Sequence, residues 1–181
     1  MQRRVFLSGL MLSTLAAGEG LAAKKKQAPY EGAQYVYFDT PELRGTVIVD
    51  TNARALFYID TPGTAIRYGV AVGKEGFDWA GVATIGRKLE WPSWTPPAQM
   101  IRRKPELAQW ADGMPGGPDN PLGARALYLF ANNRDTLFRI HGTNEPWTIG
   151  TAASSGCIRM LNDEVVELYE NVSIGTKVIV L

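Results

Sequence analysis

His141-Gly142-Thr143-Asn144, an irregular loop, then Ser154-Ser155-Gly156-Cys157-Ile158-Arg159: this stretch contains the only histidine and the only cysteine of a 181-residue chain. The two lie sixteen residues apart, enough for a loop to fold back and bring imidazole and thiol together. A thiol becomes a strong nucleophile as thiolate, and imidazole is its usual activating neighbour. A lone cysteine is most often a small buried hydrophobe, and a lone histidine an ordinary polar residue. Here Ser-Ser-Gly before Cys157 is a permissive turn that can aim amide N–H groups at one point, and Arg159 adds positive charge that favours thiolate. The pair therefore reads as a catalytic Cys157–His141 dyad. One cysteine permits no disulfide within the chain. One cysteine and one histidine do not complete the usual zinc set, so neither metal nor cofactor is expected.

Working outward, Ala124–Phe130 and Asp135–Ile140 read as strands around an Asn132-Asn133 turn, the second running directly into His141. A catalytic base held at the end of a rigid strand is well placed. Downstream, Asn162 reads as an N-cap with Asp163 and Glu164 in the first turn. Val165, Val166, Leu168, Tyr169 and Val172 then fall at helical spacing, giving one clear amphipathic helix over Asp163–Asn171. Lys177–Leu181 is a final strand. Upstream, Gly45–Asp50, Ala55–Ile59 and Ala65–Val72 form a three-strand meander with turns at Thr51–Arg54 and Asp60–Thr64.

Lys74–Gly123 differs. Trp79, Trp91, Trp94, Trp110 and seven prolines give a long irregular region, with room for one short helix between Pro97 and Gln109. Two readings stay open: a substrate-covering lid, or aromatic cover for the core.

At the N-terminus, Arg3-Arg4 precede an apolar run from Val5 to Ala17 and small residues ending at Ala23. Residues 1–23 thus read as a cleaved signal peptide, with Gln2–Leu7 resembling a twin-arginine signal and a Sec signal as the alternative. The apolar run is short for a membrane span. The expected destination is the periplasm, without stable membrane insertion after cleavage. Residues 24–44 read as a flexible lead-in. The remainder suits one domain, and 45% hydrophobic content supports a core without staples. A net charge of +1 argues against nucleic acid as partner. Nineteen glycines and eleven prolines fit a turn-rich, mainly β chain.

The His141–Asn144 and Ser154–Arg159 motifs, with Asn120-Pro121-Leu122-Gly123-Ala124-Arg125 and the aromatic stretch before it, closely resemble the L,D-transpeptidase catalytic domain, also called the YkuD domain. The resemblance runs from about Gly45 to Leu181. It departs at Ser155, where many members carry histidine. It implies a β-sandwich-like domain of mixed sheets over residues 45–181, acting on peptidoglycan stem peptides. Cys157 would attack the diaminopimelate carbonyl of a tetrapeptide stem and expel D-alanine, with His141 as base. The resulting thioester would pass to an amine of another stem or of an outer-membrane protein, to a free D-amino acid, or to water. Backbone N–H groups around Ser155 and Gly156 are candidates for the oxyanion, at about 3–4 kcal/mol per donor. Arg159 either anchors a stem carboxylate or buttresses the loop. Ser154, Asn144, Gly142 and Trp147 are further candidates to line the groove. A hydrolytic cysteine amidase and a non-enzymatic wall-binding module are the competing readings.

Overall fold

The structure, a computed structural model, describes residues 30–76 and 79–181. The signal-peptide reading and the first part of the lead-in lie outside the described residues. Eleven strands among these residues are β1 (Gln34–Tyr37), β2 (Val47–Asp50), β3 (Ala55–Thr61), β4 (Thr64–Gly69), β5 (Val72–Gly73), β6 (Gly81–Glu90), β7 (Arg125–Ala131), β8 (Arg134–His141), β9 (Ala152–Ser154), β10 (Ile158–Arg159) and β11 (Lys177–Val180). The helices are α1 (Ala98–Arg103) and α2 (Asn162–Asn171), with short 3-10 turns at Pro105–Trp110 and Pro146–Thr148.

Nine strands make one mixed sheet in the order β1-β4-β3-β2-β11-β6-β7-β8-β10, and β5 pairs β9 separately. The β2–β11, β8–β10 and β5–β9 pairs are parallel; the other pairs are antiparallel. Alternation sends Val47, Val49, Leu56, Tyr58, Leu127, Leu129 and Ile140 to a common face, where Val165 and Leu168 of α2 join them in one core. The domain is thus mainly β with one substantial helix. Lys88 of β6 points to the same side and ties α2 down. Its Nζ donates to the carbonyls of Tyr169 and Val172, both at 2.6 Å, and lies 4.0 Å from the Tyr169 ring centroid. A cation at a helix C-terminus satisfies carbonyls that have no partner within the helix.

Three elements differ from the sequence reading. β6 lies inside the stretch expected to be irregular. Its register shifts between Ile85 and Arg87, so the alternation set by Ala83 and Ile85 breaks at Gly86. A Cβ on Gly86 would run into the Phe130 ring, so the bulge requires glycine. Second, part of the lead-in is β1, an edge strand paired with β4. Just before it, the Tyr30 hydroxyl donates to Glu164 of α2 at 2.7 Å; just after it, Phe38 stacks on Phe57. Third, Leu161 occupies the α2 cap and Asn162 is the first helical residue. The Asn162 side chain turns to the site instead.

Candidate active site

The site is built on the outer face of β8 and β10. Their parallel register pairs Ile158 with Ile140 and Arg159 with His141. Ile140 and Ile158 point into the core. Alternation therefore sends His141 and Arg159 to the opposite face, together with Arg139 one step before Ile140. Cys157 directly precedes β10 and His141 ends β8, and the charges of Arg139 and Arg159 act on both.

His141 is buried, with Nδ1 2.6 Å from the Gly142 carbonyl oxygen. A carbonyl only accepts, so Nδ1 carries the proton and Nε2 is the free basic nitrogen. Burial drives the imidazole from its ordinary 6.5 down to about 4; the Gly142 hydrogen bond pulls upward, and Arg159 and Arg139 push further down. Cys157 is part-buried and unpaired, with Sγ 4.0 Å from the Leu137 carbonyl oxygen. Burial raises its pKa above the ordinary 9.0; the Arg139 backbone, then the Arg139 and Arg159 charges, oppose this without cancelling it. The resting pair is thus neutral thiol and neutral imidazole, not hydrogen-bonded to each other. The Arg159 charge expected to favour thiolate acts in that direction but is outweighed by burial. Its Nη1 is also 2.7 Å from Glu145 Oε2.

The turn before Cys157 is organised by Ser154, which is buried. Its hydroxyl donates to the Cys157 carbonyl and accepts the Gly156 N–H at 3.0 Å. Gly156 has φ 116, and its amide is consumed within the turn. The Ser155 side chain is exposed. Gly142 is buried beside Gly123, which has φ 63. A Cβ on either would collide with Asn162 Oδ1, which accepts the amides of Ala124 at 3.0 Å and Thr143 at 3.2 Å. Asn162 Nδ2 returns a bond to the Thr143 carbonyl at 3.1 Å. Asn144 Nδ2 donates to the Asp119 carbonyl at 2.8 Å, joining the site loop to the Trp/Pro segment. Trp147 projects from its 3-10 turn and is 75% exposed.

The Trp/Pro segment is held by Asn120, fully buried. Its Nδ2 lies within 3.0–3.3 Å of the carbonyls of Pro92, Met114 and Pro115, and its Oδ1 accepts the Leu122 amide. Trp91 is 45% exposed with φ 40, and Trp94 bridges to Met114.

Sequence reasoning missed Asn162 as a clamp, Asn120 as a tie, and Arg139. The Arg139 guanidinium grips Asp135 with two bonds of 2.8 and 2.9 Å and lies 4.4 Å from the Tyr128 ring centroid. An i, i+4 Asp–Arg spacing was visible, but i, i+4 neighbours meet on helices, and this pair meets across a bulged strand. No group of three or more His, Cys, Asp or Glu side chains among the described residues is arranged to hold a metal.

Fold and site together define a mainly β domain carrying an unpaired thiol and a buried imidazole at its β8–β10 strands. Residues 44–180 match the family described as the L,D-transpeptidase catalytic domain, YkuD. The chain belongs to this family. It is 35% identical over 143 residues to the probable L,D-transpeptidase ErfK/SrfK of Escherichia coli, covering 75% of this chain and 43% of that protein. It is 34% identical over 139 residues to the probable L,D-transpeptidase YbiS of the same organism, covering 74% and 43%. The chain thus spans less than half the length of these relatives. Among solved structures, one described as a probable carnitine operon oxidoreductase from Brucella melitensis is 51% identical, covers 82% of this chain and 92% of that one, and has a TM-score of 0.57. An L,D-transpeptidase from Mycobacterium smegmatis shares the fold at 20% identity and TM-score 0.54, over 76% of this chain and 58% of that one.

Proposed function

We propose that this protein is a peptidoglycan L,D-transpeptidase in which Cys157 is the nucleophile and His141 the general base. The observation that supports this reading is the β8–β10 register, which brings the segment directly after Cys157 alongside His141, whose Nε2 is left free to accept a proton. The description of the Brucella neighbour as an oxidoreductase points to other chemistry. The family match, which spans both site residues, favours acyl transfer.

Because both groups rest neutral, the thiol loses its proton as it attacks. Sγ bonds to the diaminopimelate carbonyl carbon of a tetrapeptide stem while its proton passes to His141 Nε2. The oxyanion is met by the Cys157 and Ser155 amides, since the Gly156 amide is spent on Ser154. The C–N bond then breaks, the His141 proton goes to departing D-alanine, and a thioester remains. An acceptor amine gives its proton to His141 and takes the acyl group, making a 3→3 crosslink or a bond to an outer-membrane protein. Arg159, tied to Glu145, buttresses the 142–157 loop in this reading, and Asn144 and Trp147 line the groove. The Trp/Pro segment excludes water, which otherwise yields the tripeptide. The protein works in the periplasm after removal of residues 1–23. No helix among the described residues is long and apolar enough to cross a membrane.

The test is incubation of the mature protein with purified tetrapeptide muropeptides and mass spectrometry of the products. Crosslinked or amine-exchanged stems with released D-alanine are expected. Tripeptide alone would mean a carboxypeptidase, and unchanged tetrapeptide would refute the reading.

A further inference from the structure

Beside Cys157 the β7–β8 register slips. Tyr128 faces Arg139 and Phe130 faces Asp135, leaving three residues of β8, 136 to 138, against Leu129 alone. At the centre of this bulge Leu137 sits at φ 65, a left-handed conformation that L side chains with bulk rarely adopt. Three side chains impose it. Asp135 Oδ1 accepts the Leu137 amide at 2.8 Å, and Arg139 holds that carboxylate with two bonds. Thr136 Oγ1 donates to the Leu129 carbonyl at 2.7 Å and accepts the Phe138 amide at 3.2 Å. Strain of this kind persists only where its surroundings over-determine it.

Glycine or asparagine would occupy the position with less strain. Leucine gains nothing from burial, because Leu137 is 75% exposed. Yet its carbonyl oxygen lies 4.0 Å from the thiol Sγ. An exposed apolar side chain, held at a conformational cost on a residue whose carbonyl lies 4.0 Å from the nucleophile, has its use outside the resting fold.

We propose that Leu137 is a substrate-contact residue, an apolar wall that packs against an aliphatic part of the acyl donor beside Cys157, with Asp135, Thr136 and Arg139 as its positioning residues. The identity of the donor as a peptidoglycan stem rests on the reading above; the contact itself does not.

The experiment uses Cys157 as its own reporter, since it is the only thiol in the chain. Alkylation rates with N-ethylmaleimide and N-benzylmaleimide are compared in wild type, Leu137→Gly, Leu137→Asn and Leu137→Met. The benzyl-to-ethyl rate ratio is expected to fall about three- to tenfold in the Gly and Asn variants, the scale of one lost apolar contact, and to be retained in Leu137→Met. Release of the strained backbone is expected to raise Tm of Leu137→Gly by about 2–4 °C. An unchanged ratio in Leu137→Gly overturns the proposal. So does a fall in Tm, which would mean the leucine serves the fold. With tetrapeptide muropeptide, KM is expected to rise in Leu137→Gly. If wild type leaves that substrate untouched, the peptidoglycan reading fails while the maleimide ratio still decides Leu137.

Discussion

The sheet has two halves that obey different rules. From β2 through β4 the pairing is regular: β2–β3 runs without a slip from Val47↔Tyr58 to Asp50↔Ala55, and β3–β4 shifts only near its turn, between Ile59 and Thr61. From β6 through β8 both pairings slip in mid-strand, at Gly86 and opposite Leu129. Both halves bury core residues fully: Val47, Val49, Leu56 and Tyr68 in the regular one, Ile85, Leu127, Leu129 and Ile140 in the slipped one. The slipped half carries His141, Arg139 and the bulge that meets Cys157. A slip re-aims side chains, and with them polar groups that have no place in a core. Stability is therefore shared by both halves of the sheet, while the chemistry gathers in the slipped one.

The sharpest way to test this division is to remove one key residue from the site and one from the regular half. Cys157→Ala is expected to abolish transfer and hydrolysis, a loss of at least about a thousandfold, while Tm stays close to wild type. Leu56→Ala is expected to cost about 2–5 kcal/mol of unfolding free energy, read by urea titration. The molecules still folded should alkylate at the wild-type rate. A Cys157→Ala protein that folds and still releases D-alanine would remove the nucleophile assignment.

Acidity tests the slipped half next. Between pH 6.5 and about 4, an unfolded His141 binds a proton that the buried one refuses. The unfolded state then holds more protons, so stability falls as pH falls through this window, by up to about 3 kcal/mol. Thermal melts at pH 7 and pH 4.5 should show the loss, and His141→Gln should flatten it. A smaller effect concerns the thiol. With burial holding its pKa above 9.0, iodoacetamide alkylation should climb only in the alkaline range, and a plateau near pH 7 would reveal a resting thiolate–imidazolium pair. The smallest expected change is Lys88→Met. It removes two charge-assisted bonds to the C-terminal end of α2 and should lower stability by about 1–3 kcal/mol without altering alkylation.

The sequence was most legible where register is regular. The meander before Val72 and the helix after Leu161 rest on uninterrupted period, while the Asn132-Asn133 hairpin was legible from its turn in spite of the slip in β8. β6 was missed because Gly86 breaks its alternation, and because Lys88, pointing inward to α2, looks like a surface residue in the sequence. β1 was missed because Tyr35 and Tyr37 lie 70% and 82% exposed on an edge, without a buried alternation to announce them. In the site, rarity and spacing singled out His141 and Cys157. The neutral state of both groups was not legible, since it follows from burial, which no local pattern encodes. Nor was Asn162: its cap-like position concealed a side chain that bonds Ala124, far off in sequence.

β11 lies between β2 and β6, so it is the strand through which the two halves join. Its parallel partner β2 is about 130 residues earlier in the chain. The β2–β4 meander can form early from neighbouring residues, but the edge of β2 stays unpaired until β11 arrives. Pairing across so long a loop is slow, because chain entropy must be lost before the contacts that reward it exist. A partly folded chain thus exposes the unpaired flank of β2, a template for β2 or β11 of another molecule. Yield on refolding should therefore fall steeply with protein concentration, with domain-swapped dimers exchanging β11 as the first by-product.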